Sequence, residues 1–337
     1  MARRTIARRA ALSLVAILLL AGCGVVRKAR TEKPEPWTEA RFAKKTLATY
    51  KVKLEDGVPV ETVIGRVGTY KIKPGDTLLD VARMYDVGYN EIVDANPGVD
   101  AWVPPVGAPI VLPTWWVLPC CRYDGLVMNI PEMRMYHYRR DPKDPDTLLV
   151  QTYPVGLGRT DRRTPRGSFK VKGKTVNPTW VIPERIRQEH IAEHGDDRKS
   201  IPGGHPDNPL GKYRIELTIP YYTIHGTNNP WGAGMPVSHG CARLYPEDIE
   251  HLFPLVNVGT PVEFTYQTVK AGRRKDGTYI EAHSDLYGVG GSLDAAARKE
   301  LGRIGSTVDK KTLKGALERS RGLPVRVVGG ARGGRSS

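Results

Sequence analysis

Cysteine is scarce in this chain, with four residues among 337. Cys120 and Cys121 are adjacent, whereas Cys23 and Cys241 each stand alone. Because adjacent cysteines form a strained ring when they pair, this pattern excludes a small domain held together by a disulfide framework. The hydrophobic content of 40% predicts at least one substantial apolar core instead, and the length allows two or three domains.

The N-terminal apolar run is also short. It covers residues 10–21, which is too few for a helix to cross a bilayer core of about 30 Å. The residues around it are four arginines before it and one small residue after it: Arg3, Arg4, Arg8, Arg9 and Gly22. This order of charged, apolar and small residues is that of a secretory signal peptide. We therefore predict that residues 1–22 are a signal peptide and that the mature chain works outside the cytoplasm.

The signal ends in Leu20-Ala21-Gly22-Cys23, which resembles the lipobox of bacterial lipoproteins. The resemblance implies cleavage before Cys23 and acylation of that residue. Several acyl chains, at roughly 0.8 kcal/mol per buried methylene, would then anchor the protein in a membrane. Gly24 follows the cysteine, where an aspartate commonly marks retention in the inner membrane of enteric bacteria. We therefore expect a lipid-anchored protein of the periplasm, held at the outer membrane; an ordinary signal with an incidental cysteine is the alternative.

Acidic residues are in the minority, with 36 Asp and Glu against 51 Lys and Arg, and the formal net charge is +15. The basic excess is strongest in the tail around Arg332 and Arg335. A basic protein can bind nucleic acid, but an exported protein rarely meets any. The charge instead indicates an anionic envelope polymer or lipid surface as a partner, and we expect no nucleic-acid partner.

Residues 67–114 contain the text "YKIKPGDTL", then "ARMY", then "ANP". The spacing predicts a strand near residues 70–72, a helix from Asp76-Thr77, a second helix over 89–95 and a strand at 110–112. This order and these motifs resemble the LysM domain, whose members bind the N-acetylated glycan of peptidoglycan or chitin. The resemblance implies a wall-binding module. A scaffold of the same fold that has lost glycan binding is the alternative.

The text from 122 to 266 consists of short alternating runs separated by glycine and proline. In "RIELTI", Ile215, Leu217 and Ile219 alternate with polar residues, as a half-buried strand requires. Many such runs predict a mostly β, sandwich-like domain, interrupted by one helix that begins at Pro246. Residues 267–337 predict a basic hairpin, two helices and a disordered end after Val328.

Cys241 lies in "SHGCARL", residues 238–244. A free thiol has a pKa near 8.5, so a nucleophilic cysteine needs a nearby base or cation, and the candidates are His239 and His225. If residues 239–243 are extended, His239, Cys241 and Arg243 point to one side. The backbone amides of Gly240 and Cys241 are candidate oxyanion donors, and Arg243 suits a carboxylate. The pattern predicts acyl transfer.

Four motifs resemble the L,D-transpeptidase catalytic domain of bacterial cell-wall enzymes: "TPRGSF" (164–169), "PDNPLG" (206–211), "HGTN" (225–228) and "SHGCARL". The resemblance implies a cysteine-dependent acyltransferase that uses no cofactor. Cys241 attacks the bond between diaminopimelate and the terminal D-alanine of a tetrapeptide stem, releases D-alanine and forms a thioester. An amine of another stem then gives a 3-3 crosslink, or a lysine of an outer-membrane lipoprotein gives an anchored protein.

The same resemblance implies the roles of the surrounding residues. His225 is the general base and acid, and the carbonyl of Gly226 orients it. His239 and Gly240 line the oxyanion site. Three further residues are expected to contact substrate: Arg243, Ser238 and Asn228.

Three other interpretations remain open. In the first, Cys241 is not a nucleophile: it is a buried structural residue, or it belongs to a zinc site with His225, His239 and either His205 or His251. No close C-x-x-C or H-x-x-x-H pair supports zinc. A papain-like wall peptidase needs its histidine well downstream of the cysteine, where His251 and His283 stand in unmatched surroundings. A non-catalytic wall-binding lipoprotein is the third.

The predicted fold class is mostly β: a β-sandwich-like catalytic domain, a small βααβ LysM domain in front of it and a partly helical C-terminal extension. The predicted domain bounds are as follows: signal peptide 1–22, tether and lead-in 23–66, LysM domain 67–114, catalytic domain 119–266 and basic extension 267–337.

Overall fold

The computed structural model describes residues 37–120 and 122–327, all within one compact unit of the chain. Four predicted features lie outside the described residues: the signal peptide, the lipidated Cys23, Cys121 and the end of the chain from 328. None of the helices in the described ranges combines the length and the apolar character needed to cross a membrane.

The N-terminal part carries the lead-in and the βααβ segment. Its elements are α1 (Glu39–Phe42), β1 (Tyr50–Glu55), β2 (Val58–Pro59), β3 (Val63–Gly65), β4 (Gly68–Lys71), α2 (Leu78–Met84), α3 (Tyr89–Ala95), β5 (Pro109–Leu112) and β6 (Trp115–Val117). Strands β4 and β5 pair antiparallel with α2 and α3 between them, so the predicted LysM arrangement is confirmed. Thr77 caps α2 and exchanges hydrogen bonds with Asp80, a capping box that fixes where the helix begins.

The central part carries most of the strands. Its elements are β7 (Gly125–Asn129), β8 (Arg134–Asp141), β9 (Asp144–Pro154), β10 (Leu157–Gly158), β11 (Gly167–Val176), β12 (Trp180–Val181), α4 (Glu184–His194), β13 (Ser200–Ile201), β14 (Tyr213–Leu217), β15 (Thr223–His225), β16 (Pro236–Ser238), β17 (Ala242–Arg243), α5 (Pro246–Leu252) and β18 (Pro261–Thr265). Ten strands form one hydrogen-bonded series, β17-β15-β14-β11-β18-β7-β8-β9-β1-β2. Ile249 and Leu252 of α5 complete the core on this sheet, and the mostly β fold class is confirmed.

The C-terminal part carries β19 (Val269–Arg274), β20 (Gly277–Ala282), α6 (Leu293–Arg303), α7 (Lys310–Arg319) and β21 (Val325–Val327). The three strands form a sheet in the order β19-β20-β21. Both predicted helices are present, and the predicted hairpin is formed by β19 and β20. Ile280, Leu301 and Leu313 pack into a separate small core, which makes this region a folded module.

The lead-in is not a simple tether. Strand β1 pairs antiparallel with β9, and Tyr50 lies opposite Val150. In "YKVKLE" the residues Val52 and Leu54 are buried while their neighbours are exposed. That alternation is typical of a half-buried strand, so residues 50–55, within the predicted tether and lead-in of 23–66, form a strand of the main sheet.

Helix α4 was not predicted. None of its residues is buried, so its sequence lacks the apolar periodicity by which a helix is normally found. The helix begins after Pro183 and ends at Gly195, whose φ of 69° gives the left-handed C-terminal cap that glycine favours. The catalytic domain therefore contains a polar helix, α4, in addition to the predicted helix that begins at Pro246.

Cys120 is disulfide-bonded, and its partner lies outside the described residues. Its backbone amide donates to the Gln267 side chain over 3.2 Å, and its carbonyl accepts from the same side chain over 3.1 Å. The sequence did not predict a disulfide at this position. The segment after β6 is thereby tied to the start of the C-terminal module.

A buried ionic network joins the βααβ segment to the catalytic domain. Lys45 lies 2.6 Å from both Asp86 and Asp248 and 3.2 Å from Glu247. Arg83 of α2 binds Glu247 as well, at 3.0 Å. Glu247 and Asp248 open α5, the helix that follows β17, so the network fixes the element next to the nucleophile motif.

Candidate active site

The candidate nucleophile and base lie on two adjacent parallel strands, β15 and β17. Ile224 pairs with Ala242, and His225 pairs with Arg243. Ile224 and Ala242 are buried in the main core, so the alternate side chains point to the opposite face of the sheet. Cys241, immediately before β17, alternates with Ala242 and lies on the same face as His225.

Cys241 is a free, half-buried thiol. The Thr223 hydroxyl lies 3.7 Å from Sγ, and the carbonyl oxygen of Tyr221 lies 3.6 Å from it. Tyr221 has a φ of 68° and a side chain that is 93% exposed. A bulky residue rarely adopts that backbone region, so the chain is strained beside the thiol. The sulfur is held against the start of β15 while one side stays open to solvent.

His225 is buried, and its ring is oriented by a single backbone carbonyl. Nδ1 lies 2.7 Å from the oxygen of Gly226. Because a carbonyl only accepts, Nδ1 carries the proton and Nε2 keeps its lone pair. Burial, together with the positive charge of Arg243, lowers the pKa of His225 to about 3. The resting imidazole is therefore neutral and able to accept a proton at Nε2.

The turn between β16 and Cys241 requires glycine. Gly240 has a φ of 116°, and a Cβ there would lie 2.6 Å from the ring of Tyr222. The Gly240 amide donates to Ser238 Oγ over 3.0 Å, and that hydroxyl donates to the Cys241 carbonyl over 2.7 Å. The Gly240 amide, expected at the oxyanion site, is thus engaged within the turn. Ser238 is 1% exposed, and its hydroxyl shapes the turn. Its predicted substrate contact stays a prediction.

His239 is held by a carboxylate from α4. Its Nε2 lies 2.9 Å from Glu189, which also binds Arg162 over 2.5 Å. The hydrogen bond with His239 holds the pKa of Glu189 below its ordinary range. Sequence reasoning missed Glu189 because it lies 50 residues from His239, on a helix with no apolar face. The α4 helix therefore supplies a charged partner to the predicted site.

Arg243 keeps part of its guanidinium unpaired. Within the described residues its buried Nε has no hydrogen-bond partner. Burial lowers the pKa of the guanidinium, and the facing sulfur of Cys241 opposes that shift. Its backbone is fixed by two hydrogen bonds with Gly156, of 2.8 and 2.9 Å. The arrangement suits an anionic ligand next to the thiol.

Asn228 is exposed, and its side-chain amide forms a hydrogen bond with a neighbouring loop. Its Nδ2 donates to the carbonyl of Pro206 over 2.9 Å. The "HGTN" and "PDNPLG" motifs are thus tied together at the rim of the site. A substrate contact from Asn228 stays a prediction.

The chain is similar to known proteins. Residues 124–264 match the model of the L,D-transpeptidase catalytic domain, and residues 70–113 match that of the LysM domain. The probable L,D-transpeptidase YbiS of Escherichia coli K12 is 35% identical over 277 residues, which cover 79% of this chain and 88% of that protein. The chain belongs to the L,D-transpeptidase family. As a member it is an acyltransferase with a LysM domain.

Two further Escherichia coli K12 relatives agree with this assignment. The probable L,D-transpeptidase ErfK/SrfK is 34% identical over 261 residues, covering 74% of this chain and 82% of that protein. The probable L,D-transpeptidase YcfS is 36% identical over 217 residues, covering 63% and 66%.

The histidines proposed for the alternative zinc site do not all lie together with Cys241 in the transpeptidase. His251 hydrogen-bonds to Tyr153 over 3.1 Å, and His205 accepts from the Asp207 amide over 3.1 Å. In the described part of the chain, the acids and histidines close enough to share a metal are Glu132, Glu281 and His283. That cluster excludes Cys241, and Lys270 bridges its two carboxylates at 2.8 and 2.9 Å.

The papain-like alternative also lacks its base. His283 binds Glu281 over 2.7 Å in the C-terminal module, and His251 is engaged with Tyr153. Both downstream histidines of the transpeptidase thus have partners other than Cys241. His225, upstream of the cysteine, is the histidine on the nucleophile's face.

We expect Glu189→Gln to lower kcat/KM by about tenfold. The amide keeps the shape of the side chain but removes the charge that holds His239, and hydrogen bonds to charged groups are roughly twice as strong as neutral ones. Release of D-alanine from tetrapeptide muropeptides measures the effect. Glu184→Gln is the matched control, because Glu184 lies on the same helix and its carboxylate binds Arg187 and Gln188 of that helix. Equal rates for both variants would remove Glu189 from the site.

Proposed function

We propose that the protein is a peptidoglycan L,D-transpeptidase whose Cys241 attacks the carbonyl of diaminopimelate in a tetrapeptide stem. The observation that carries this proposal is the placement of a half-exposed thiol and a neutral buried imidazole on one face of adjacent strands. A thiol needs such a base to react at neutral pH. The nucleophile, the base and the carbonyl that orients the base are all present.

The first step forms the thioester. His225 Nε2 takes the thiol proton, Sγ bonds to the carbonyl carbon, and the carbonyl oxygen becomes an oxyanion. The backbone amide of Cys241 is our candidate donor to that oxyanion. The tetrahedral intermediate then collapses, the carbon–nitrogen bond breaks, and His225 returns the proton to the departing D-alanine amine.

The second step releases the enzyme. An acceptor amine attacks the thioester carbon, and His225 accepts a proton from that amine. The carbon–sulfur bond then breaks, and His225 returns the proton to the Cys241 sulfur, which restores the thiol and the neutral imidazole. The low pKa of His225 means that the imidazolium form is short-lived at both stages. The Gly226 carbonyl stabilises the Nδ1 proton throughout.

The surroundings of the thiol suit the donor peptide. Arg243 offers its unpaired Nε to a carboxylate of the stem. His239, which Glu189 holds in place, is our candidate to line the oxyanion site. The LysM domain would hold the glycan to which the stem is attached.

The acceptor is either an amine of a second stem, which gives a 3-3 crosslink, or a lysine of an outer-membrane lipoprotein. Both reactions belong to the cell envelope, where a peptidoglycan enzyme works. A lipid on Cys23 and attachment to the outer membrane complete the proposal. Fractionation of the mature protein with inner-membrane markers alone would exclude outer-membrane attachment.

Cys241→Ala should abolish D-alanine release from purified tetrapeptide muropeptides. Intact protein mass should show a transient adduct on the wild-type chain without residues 1–23, and no adduct on the variant. Product analysis then separates crosslinking from hydrolysis. A folded wild-type protein that shows neither release nor adduct would shift the proposal to a non-catalytic wall-binding lipoprotein.

A further inference from the structure

One side chain of the C-terminal module reaches the nucleophile turn. Tyr287 lies between β20 and α6, beyond the matched catalytic residues 124–264. It is 6% exposed and packs in the main core of the catalytic domain. A polar group buried this far inside another domain needs hydrogen-bond partners there.

The Tyr287 hydroxyl both donates and accepts a hydrogen bond, and both partners belong to one loop. It donates to the carbonyl of Gly158 over 2.8 Å and accepts from the amide of Thr164 over 3.1 Å. Both are backbone groups at the two ends of the β10–β11 connection. The phenol therefore clamps this loop shut at its base.

The clamped loop holds the peptide that precedes the nucleophile. Thr164 Oγ1 accepts from the Gly158 amide over 3.0 Å and donates to the carbonyl of Gly240 over 2.9 Å. Gly158 also pairs with Ser238 across β10 and β16. The chain of contacts runs from Tyr287 through Thr164 to Gly240, one residue before Cys241.

Peptide planarity gives this chain of contacts a consequence for catalysis. The Gly240 carbonyl and the Cys241 amide belong to one trans peptide group, so they point in opposite directions within one plane. Fixing the carbonyl with Thr164 therefore fixes the direction of the Cys241 N–H, our candidate oxyanion donor. An oxyanion donor stabilises the transition state only where its geometry is preset.

Tyr287 is itself held rigidly. Its backbone amide donates to the Tyr266 hydroxyl over 2.7 Å, and that hydroxyl donates to Asp285 over 2.5 Å. The two tyrosine rings stack with centroids 6.0 Å apart. The guanidinium of Arg163 lies 5.5 Å from the centre of the Tyr287 ring. Because these contacts hold the Tyr287 side chain in place, its hydroxyl can fix the positions of Gly158 and Thr164.

We infer that Tyr287 is a positioning residue that sets the direction of the Cys241 amide through Thr164 and the Gly240 carbonyl. The inference deepens the proposed function and rests on it for its kinetic consequence. It assigns the C-terminal module a part in acyl transfer beyond fold completion.

The test compares Tyr287→Phe with wild type in the chain lacking residues 1–23. Loss of the hydroxyl should lower kcat for D-alanine release by about tenfold, with KM changed less than about twofold. The rate of Cys241 alkylation by iodoacetamide should stay within about twofold, because alkylation forms no oxyanion. A parallel fall in both rates would show general loosening of the site and overturn the inference.

Two further variants make the pathway testable. Tyr279→Phe, which removes a hydroxyl bonded to Asp276 in the same module, should match wild type. Thr164→Val should reproduce the kinetic signature of Tyr287→Phe, and the double variant should be no slower than Thr164→Val alone. Additive losses in the double variant would mean that Tyr287 does not act through Thr164.

Hydrogen exchange of residues 238–241 separates this inference from the proposed function. Tyr287→Phe should speed exchange of the peptide that contains these residues, whether or not D-alanine is released. Faster exchange together with an inactive wild type would refute the proposed function alone. Unchanged exchange would overturn the positioning role, whatever the activity.

Discussion

His225→Asn is expected to lower the rate of Cys241 acylation by about a thousandfold. General base catalysis is worth on the order of 10² to 10⁴ in rate, and asparagine can occupy the site without accepting the thiol proton. The asparagine amide can still donate to the Gly226 carbonyl, so the strand geometry should persist. Burst formation of the covalent adduct, followed by intact mass against time, measures the step directly.

His251→Asn is the control for that result. His251 is a half-buried histidine of the same domain, bonded to Tyr153 rather than to the thiol face. It should acylate at close to the wild-type rate. A His225→Asn enzyme within about threefold of wild type would assign the base to another group, with His239 the next candidate.

The same substitution isolates a pH effect on stability. Burial holds the pKa of His225 at about 3, whereas an unfolded histidine titrates near 6.5. Between these values the unfolded chain binds more protons, so the contribution is complete above about pH 6.5 and is lost as pH falls toward 3. Wild type should therefore lose about 2 kcal/mol more than His225→Asn between pH 6.5 and pH 5 in urea unfolding. Parallel losses would mean that His225 is not buried as a neutral group.

Local sequence patterns predicted much of this site. Alternation predicted His239, Cys241 and Arg243 on one side if residues 239–243 were extended. In the structure the chain turns at Gly240, whose φ is 116°, so the alternation relates Cys241 to Arg243 and does not reach His239. The sequence could not state that β15 and β17 are adjacent and parallel, because strand pairing over a loop depends on the whole sheet. The register that brings His225 opposite Arg243 is thus a tertiary result.

The parts that the sequence did not reveal are polar groups whose partners lie far along the chain. Glu189, Tyr287 and Lys45 have no local pattern, since a lone charged or phenolic residue normally indicates a solvated surface. Each becomes informative only when folding buries it against specific partners. The low pKa of His225 has the same origin, because burial makes the largest contribution to it. Motifs identify groups that react, whereas long-range packing determines how these groups are held.

Lys45→Met is expected to destabilise the folded chain by about 3 to 5 kcal/mol. Lys45 has a side chain that is 3% exposed and faces three carboxylates, those of Asp86, Glu247 and Asp248. Burial alone would lower the pKa of Lys45, but these three carboxylates outweigh burial and raise it above its ordinary value. Arg83 still pairs with Glu247 after the lysine is removed, but the fully buried Asp248 loses the cation that pairs with it, which is the costly way to break an ion pair. Urea unfolding at neutral pH measures the loss.

Lys51→Met is the matched control. It makes the same substitution in the same N-terminal segment, but the Lys51 side chain is 70% exposed, and its partner Asp141 also accepts a hydrogen bond from the Lys143 amide. An ion pair with a solvent-exposed lysine contributes little to the free energy of unfolding, so the unfolding midpoint of Lys51→Met should stay near that of wild type. Equal shifts for the two variants would show that the Lys45 network contributes no more than a surface pair.

The network also predicts how the chain unfolds. It links Arg83 and Asp86 of the LysM domain to Glu247 and Asp248 of α5, so neither side can open without exposing unpaired buried charge. Wild type should therefore unfold in one transition, seen alike in tryptophan fluorescence and in the reactivity of Cys241. Lys45→Met should separate the two signals, with thiol reactivity rising first because α5 directly follows the nucleophile strand. Coincident transitions in the variant would mean that apolar packing alone couples the LysM domain to the active site.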